Sequence, residues 1–99
     1  MWYAITALDV TDSLARRQAA RPAHLERLQQ LHAADRLLLA GPFPVVDAED
    51  PGTAGFSGSL IIAAFDSLAA ATTWAEADPY KVAGVYASVD VRPFRQTLP

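Results

Sequence analysis

Seven residues from Ser59 to Phe65, SLIIAAF, restrict the fold more than any other stretch of the chain. A near-continuous apolar run of this length reads as a β-strand buried on both faces, so it needs neighbouring strands and cover above and below. Trp2 to Leu8 supplies one neighbour: Trp2, Ala4, Thr6 and Leu8 alternate against Tyr3, Ile5 and Ala7, and its aromatic and β-branched residues favour an extended strand. Val85 to Val91 supplies another, with Val85, Ala87, Val89 and Val91 alternating against Tyr86, Ser88 and Asp90. A fourth, from Arg36 to Ala40, is closed by Gly41-Pro42.

Helical spacing fills the gaps between these strands. Thr11, Asp12 and Ser13 offer caps for a helix beginning around Leu14. Pro22 has no amide hydrogen and crowds the residue before it, which predicts a break, kink or restart near Arg21 and a second piece from about Pro22 to Ala34. Asp66 or Ser67 can cap a helix over Leu68 to Ala77, with Leu68, Ala71, Trp74 and Ala75 as its apolar face and Asp78-Pro79 as its end. Phe43 to Ser57, rich in Pro, Gly and Asp, reads as a long loop, either a lid or a hairpin connection. The tail from Pro93 to Pro99 is expected to be a surface extension.

Strand, helix, strand, strand, helix, strand is the order of an α+β, ferredoxin-like βαββαβ domain, an antiparallel sheet with helices on one face. At 99 residues the chain is expected to be one domain, 1–99. The other sheet face is left bare. If Trp2, Leu8 and the apolar sides of strands three and four lie across it, a symmetric homodimer is the simplest cover, and a ligand cleft near such an interface follows.

Composition narrows the function classes. The chain is 52% hydrophobic with net charge −3, so disorder is not expected, and no basic cluster interleaved with aromatics points to nucleic acid. No apolar run approaches the roughly 18 residues of a membrane span, and MWYAITALDV lacks a basic flank and a cleavage site, so the expected location is cytoplasmic. The absence of cysteine excludes disulfides and thiolate chemistry. Neither GPFPVVD nor AGFSGS has the glycine spacing of a phosphate or dinucleotide loop, and no nucleophile elbow is present.

His24 is the best catalytic candidate. Leu28 and Leu31 lie four and seven residues further on, so His24 borders the core stripe of its helix and is still able to meet a ligand; a plain boundary histidine fits the same spacing. His32 reads as a surface residue, and eight residues from His24 it is too far along a helix to share a metal, so no metal is expected. Five of the eight basic residues, Arg16, Arg17, Arg21, Arg27 and Arg36, fall between Ser13 and Arg36. They read as a solvated helix face with partners such as Glu26; alternatively Arg21, one turn before His24, attracts an anionic substrate. Ser59 can hydrogen-bond in a pocket, and Phe56 and Tyr80 can wall it, although both aromatics also suit a core.

Taken together and in order, DSLARR (Asp12 to Arg17), RPAHLERL (Arg21 to Leu28), RLLLAGPFP (Arg36 to Pro44), AGFSGS (Ala54 to Ser59), WAEADPY (Trp74 to Tyr80) and AGVYASVDVRPF (Ala83 to Phe94) resemble the YciI-like, YCII-related family over nearly the whole chain. That resemblance implies the ferredoxin-like fold, a dimer of the dimeric α+β barrel type, and a histidine and aspartate centred site in a family some of whose relatives act without cofactor on small ring compounds, including by dehydrochlorination. It maps the histidine to His24 and the aspartate to Asp78.

An aspartate before proline also serves as a turn residue closing a helix, yet an acid at a helix C-terminus is mildly unfavourable for the dipole. Asp35 is the other candidate partner, about 16 Å along the helix from His24 by the rise per residue. A His/Asp pair suits proton abstraction because the carboxylate fixes the imidazole tautomer and stabilises the imidazolium. The expectation is a cofactor-independent lyase or isomerase on a small organic molecule, anionic if Arg21 serves to attract it. The alternatives are a ligand-binding or sensing module using the same cleft without turnover, and an interaction protein using the bare sheet face.

Overall fold

Strand pairing explains why SLIIAAF had to be apolar on both sides. The computed structural model describes residues 1–99 as β1 (Trp2–Asp9), α1 (Leu14–Ala33), β2 (Leu37–Pro44), a 3-10 turn (Gly52–Ala54), β3 (Phe56–Ala64), α2 (Leu68–Glu76), α3 (Pro79–Val82) and β4 (Tyr86–Phe94). The sheet order is β2-β3-β1-β4 with every pair antiparallel, so β3 lies between two partners. This is an α+β, ferredoxin-like fold.

Residues opposite one another in a ladder share a face. The pairs Tyr3 with Ala63 and Ile5 with Ile61 turn toward the helices, where Leu28 and Leu31 of α1 and Ala71 of α2 cover them. Ile61 is 2% exposed, and burial of a side chain that size contributes about 1.5–3 kcal/mol. The pairs Ala4 with Ile62 and Thr6 with Leu60 occupy the opposite face.

That opposite face differs in part from the expected one. Trp2, Leu8, Leu60 and Ile62 lie on it, joined by Leu39 and Phe43 of β2, but β4 contributes Ser88, Asp90 and Arg92. Val89 and Val91 pair with Ala7 and Ile5 and pack on the helix side. The apolar patch is therefore centred on β3 and β1, with a polar rim at β4, where Arg92 and Asp90 form an exposed ion pair at 2.7 Å.

Several boundaries moved for identifiable reasons. α1 runs unbroken through Pro22, which lies on its exposed side. Proline inside a helix costs about 3 kcal/mol, but Arg17 on one side of it and His24 on the other are tied to Asp9 and Asp78, and these anchors fasten both halves to the rest of the fold. Ser13 takes the N-cap position of α1, yet its hydroxyl donates to Asp9 instead of accepting from the helix. Ser67 does cap α2, accepting from Ala70 N at 3.0 Å.

The Phe43 to Ser57 segment is a hairpin connection. β2 continues to Pro44, β3 restarts at Phe56, and Val45 N donates to Gly55 O across the closing rung. Gly55 has φ +74°, a backbone region in which a side chain would be strained. At the other end of the chain β4 pairs through Phe94 opposite Trp2, so Pro93 and Phe94 are sheet and not tail. A register shift sets Asp9 against Tyr86 while Leu8 stays against Ser88. This bulge buries Tyr86 and exposes Ala87, the reverse of simple alternation. Leu68, expected on the apolar face of α2, is exposed at its first position.

Candidate active site

The buried residues of α1 are Arg17, His24, Leu28 and Leu31, a single stripe at spacings of seven, four and three. Its C-terminal half is apolar and seals the core. Its N-terminal half is polar and, with Arg21, forms one wall of a cleft of about 550 Å³ between α1 and the β2–β3 edge. Leu14, Leu25, Ile61 and Pro42 make the cleft's apolar surface.

His24 is 7% exposed and its Nδ1 lies 2.8 Å from Asp78 Oδ1. An ionised carboxylate only accepts, so Nδ1 carries the proton in this pair, and in the neutral ring Nε2 is the nitrogen with the free lone pair. Nε2 makes no hydrogen bond within the chain and is not sealed from solvent, and His24 lines the cleft. Tyr80 lies parallel to the imidazole at 3.9 Å between ring centroids, 13° between planes, fixing the ring's tilt.

Asp78 follows the end of α2 and is also the N-cap of α3. Its Oδ1 accepts from Tyr80 N at 2.9 Å, and its carbonyl accepts from Lys81 N and Val82 N. The dipole conflict expected from the sequence is thus offset, because the carboxylate faces the first amides of the next helical turn. Asp35 lies just beyond α1, exposed and with φ +55°, and makes no ion pair with His24. His32 is exposed. No group of three histidine, aspartate or glutamate side chains is arranged to hold a metal ion.

A second polar cluster adjoins this dyad. Arg17 is 5% exposed; Nε donates to Asp9 Oδ2 at 2.6 Å, and Nη2 donates to Asp9 Oδ1 at 2.9 Å, the Gly58 carbonyl at 2.8 Å and Ser59 Oγ at 2.9 Å. Ser13 Oγ adds a 2.6 Å bond to Asp9. Burial works to lower the Arg17 pKa, but the hydrogen bond and charge of Asp9 outweigh it and the group is raised above the ordinary arginine value. Arg27 has no such partner. Its guanidinium sits 4.2 Å from the Trp74 ring centroid, donates to the Trp74 carbonyl at 2.9 Å, and is lowered by burial against the opposing charge of Asp78. Arg17 and Arg27 therefore do not belong to a solvated face, and no arginine pairs with Glu26.

Burial raises the Tyr80 phenol, partly offset by Arg17 and Arg21. Burial raises Tyr86 much further; Ser59 tempers this, although Tyr86 Oη, sealed from solvent, has no partner in hydrogen-bonding geometry. Of the residues singled out in the sequence, His24, Arg21, Phe56, Ser59 and Tyr80 all line the cleft and Asp78 lies directly behind His24. Asp9, Arg17 and Tyr86 were missed. Arg17 could have been found, since it precedes His24 by seven residues on the stripe that continues to Leu28 and Leu31.

The sequence and the fold match known proteins. The YCII-related domain model matches residues 1–95, and the chain belongs to that family. It is 59% identical over 98 residues to Protein YciI of Escherichia coli, covering 99% of this chain and 100% of the relative, and it is equally similar to Protein YciI of Shigella flexneri. An uncharacterized protein of Haemophilus influenzae is 53% identical over the same coverage. Among solved structures, the 5-chloro-2-hydroxyhydroquinone dehydrochlorinase TftG of Burkholderia phenoliruptrix, in complex with 2,5-dihydroxybenzoquinone, superposes with a TM-score of 0.83 at 26% identity, covering 96% of this chain and 94% of that one. A small-molecule enzyme is thus known on this fold.

Proposed function

We propose that this protein is a cofactor-independent lyase or isomerase in which His24 is the general acid/base and Asp78 holds its tautomer. The observation that carries the reading is the 2.8 Å contact between His24 Nδ1 and Asp78 Oδ1, with Nε2 free at the wall of a cleft. In this chemistry Nε2 takes a proton from an acidic C–H or O–H of the substrate, and the Asp78 carboxylate stabilises the imidazolium. The released electron pair either expels a leaving group, which is elimination, or shifts a double bond, after which the imidazolium returns the proton. A positioned base of this kind contributes about 10²–10⁴-fold.

The substrate is a small organic molecule. Phe56 and Tyr80 supply aromatic walls, Ser59 a hydroxyl, and Arg21 a positive charge at the mouth. That TftG acts on a chlorinated hydroxyhydroquinone and binds 2,5-dihydroxybenzoquinone supports an activity on ring compounds of that type. The protein works in the cytoplasm as a homodimer, its apolar sheet face of Trp2, Leu8, Leu39, Phe43, Leu60 and Ile62 covered by a second copy.

Steady-state turnover of a panel of chlorinated and hydroxylated ring compounds by the wild type, His24→Ala and Asp78→Asn tests the reading. Turnover of at least one compound is expected from the wild type, with kcat lower by about 10²–10⁴-fold in His24→Ala and also strongly reduced in Asp78→Asn, whose amide no longer fixes the tautomer. Equal turnover by the wild type and His24→Ala would overturn it.

A further inference from the structure

The geometry points to Arg17 as the residue that sets the charge and pose of the ligand: its free Nη1 receives an ionised oxygen, phenolate or enolate, of a planar ring whose opposite edge lies at His24 Nε2. This deepens the reading of the cleft as a substrate site and rests on it.

A guanidinium as withdrawn as Arg17 is tolerated only where its donors find acceptors. Nε and Nη2 have theirs inside the protein, in Asp9, Gly58 and Ser59. Nη1 has no partner in strict hydrogen-bonding geometry, although the Tyr80 phenol lies near enough to the guanidinium to feel it; Nη1 is not sealed from solvent, and the residue lines the cleft. The group is gripped along one edge by Asp9, itself held by Ser13, and open along the other. A fork fixed this way loses little side-chain freedom when it takes up a ligand oxygen.

Charge and shape narrow the ligand. No aspartate or glutamate lines the cleft, Asp9 balances Arg17, and Arg21, one helical turn on, has no acidic partner there. The potential at the mouth is therefore positive and favours an anion. The Arg17 guanidinium carbon lies 5.4 Å from the Phe56 ring centroid and 4.9 Å from that of Tyr80, and Tyr80 is the ring stacked on His24. Tyr80 thus contacts both the anion-binding end and the proton-transfer end, and all three residues line the same cleft, which is the arrangement one substituted ring would bridge. An unsaturated ring also offers its face to Phe56, which a compact inorganic anion does not.

Calorimetric titration with 2,5-dihydroxybenzoquinone, which is ionised at neutral pH, beside neutral 2,5-dimethoxybenzoquinone and the simple carboxylate acetate, tests this in the wild type, Arg17→Lys and Arg21→Gln. Thermal melts establish that each variant is folded. The wild type should bind the ionised quinone at least about tenfold more tightly than either comparison compound, as a charge-assisted hydrogen bond to a desolvated donor provides. Arg17→Lys, which keeps the charge but loses the fork, should weaken the ionised quinone by about tenfold or more and leave the dimethoxy compound within about twofold. Arg21→Gln should weaken it less. Equal binding of charged and neutral quinones, equal binding of acetate, or an Arg17→Lys protein with undiminished preference would each overturn the assignment. Should Arg17→Lys fail to fold, the Arg17 side-chain ¹⁵N resonances of the wild type decide: they shift on adding the ionised quinone if the inference is right and stay put if it is wrong. Turnover does not enter, so binding through Arg17 without conversion would remove only the catalytic proposal, and conversion with charge-blind binding would remove only this one.

Discussion

Replacing Asp9 by asparagine should destabilise the fold far more than its position at a strand end suggests. The Asp9 side chain is 1% exposed and accepts from Arg17 Nε at 2.6 Å, Arg17 Nη2 at 2.9 Å and Ser13 Oγ at 2.6 Å. Asparagine keeps the shape and one acceptor but removes the charge, leaving the Arg17 guanidinium buried without a counter-ion. Breaking a buried pair from one side costs about 3–5 kcal/mol, and the surviving acceptor places this variant near 3. For a domain of about 100 residues that corresponds to a fall in Tm of roughly 12–24 °C. Urea unfolding followed by far-ultraviolet circular dichroism measures it. The double variant Asp9→Leu with Arg17→Met should recover most of the loss, since an apolar pair of similar volume avoids both desolvation penalties. A loss below about 1 kcal/mol in Asp9→Asn would refute the reasoning, because it would mean water reaches the pair and screens it.

Three further outcomes follow from the same packing. Tyr86 is protonated in the fold and held well above the ordinary phenol range by burial, so below about pH 10 it adds no pH dependence. Above that the unfolded chain loses the proton while the fold keeps it, and stability falls by about 1.4 kcal/mol per pH unit; Tyr86→Phe should flatten this alkaline limb, as equilibrium unfolding between pH 9 and 11 would reveal. A Cβ on Gly58 would collide with the Ala7 carbonyl oxygen, so Gly58→Ala should cost at least about 2 kcal/mol and disturb the carbonyl that Arg17 binds, measurable as a lower urea midpoint. Leu8, 56% exposed on the open sheet face, should tolerate Asp within about 0.5 kcal/mol in an isolated subunit, so light scattering that reports a dimer for the wild type and a monomer for Leu8→Asp would support face-to-face pairing. A dimer in both would argue against it.

The order of elements was legible because their periods are clean. SLIIAAF could only be an interior strand, and the alternation of Trp2 to Leu8 assigned Tyr3, Ile5 and Ala7 to one face. What misled were places where a distant contact overrides a local rule. Pro22 reads as a helix breaker, but two buried polar anchors on either side carry the helix past it. Alternation alone puts Tyr86 on the same face as Ser88, while a single bulge reverses it. The hairpin was one of two readings of the Pro- and Gly-rich segment, but the full length of β2 was not legible, because Pro42 and Pro44 stand in an edge strand, where a missing amide is tolerated. Around the cleft, His24, Arg21, Ser59, Phe56 and Tyr80 were visible as residue types, whereas Asp9 gave no signal: its partner Arg17 lies eight residues on and could be recognised only by extending the helix stripe backwards.

The most direct test is the protonation pattern of the His24 ring, read from side-chain ¹⁵N chemical shifts at about pH 8.5, above the ordinary imidazole range. Proton transfer through the cleft requires the Nδ1–H tautomer, with Nε2 unprotonated toward the ligand and Asp78 accepting behind. The wild type should show that tautomer, and Asp78→Asn should lose its dominance. A wild-type ring protonated at Nε2 would contradict it, since no lone pair would then face the cleft.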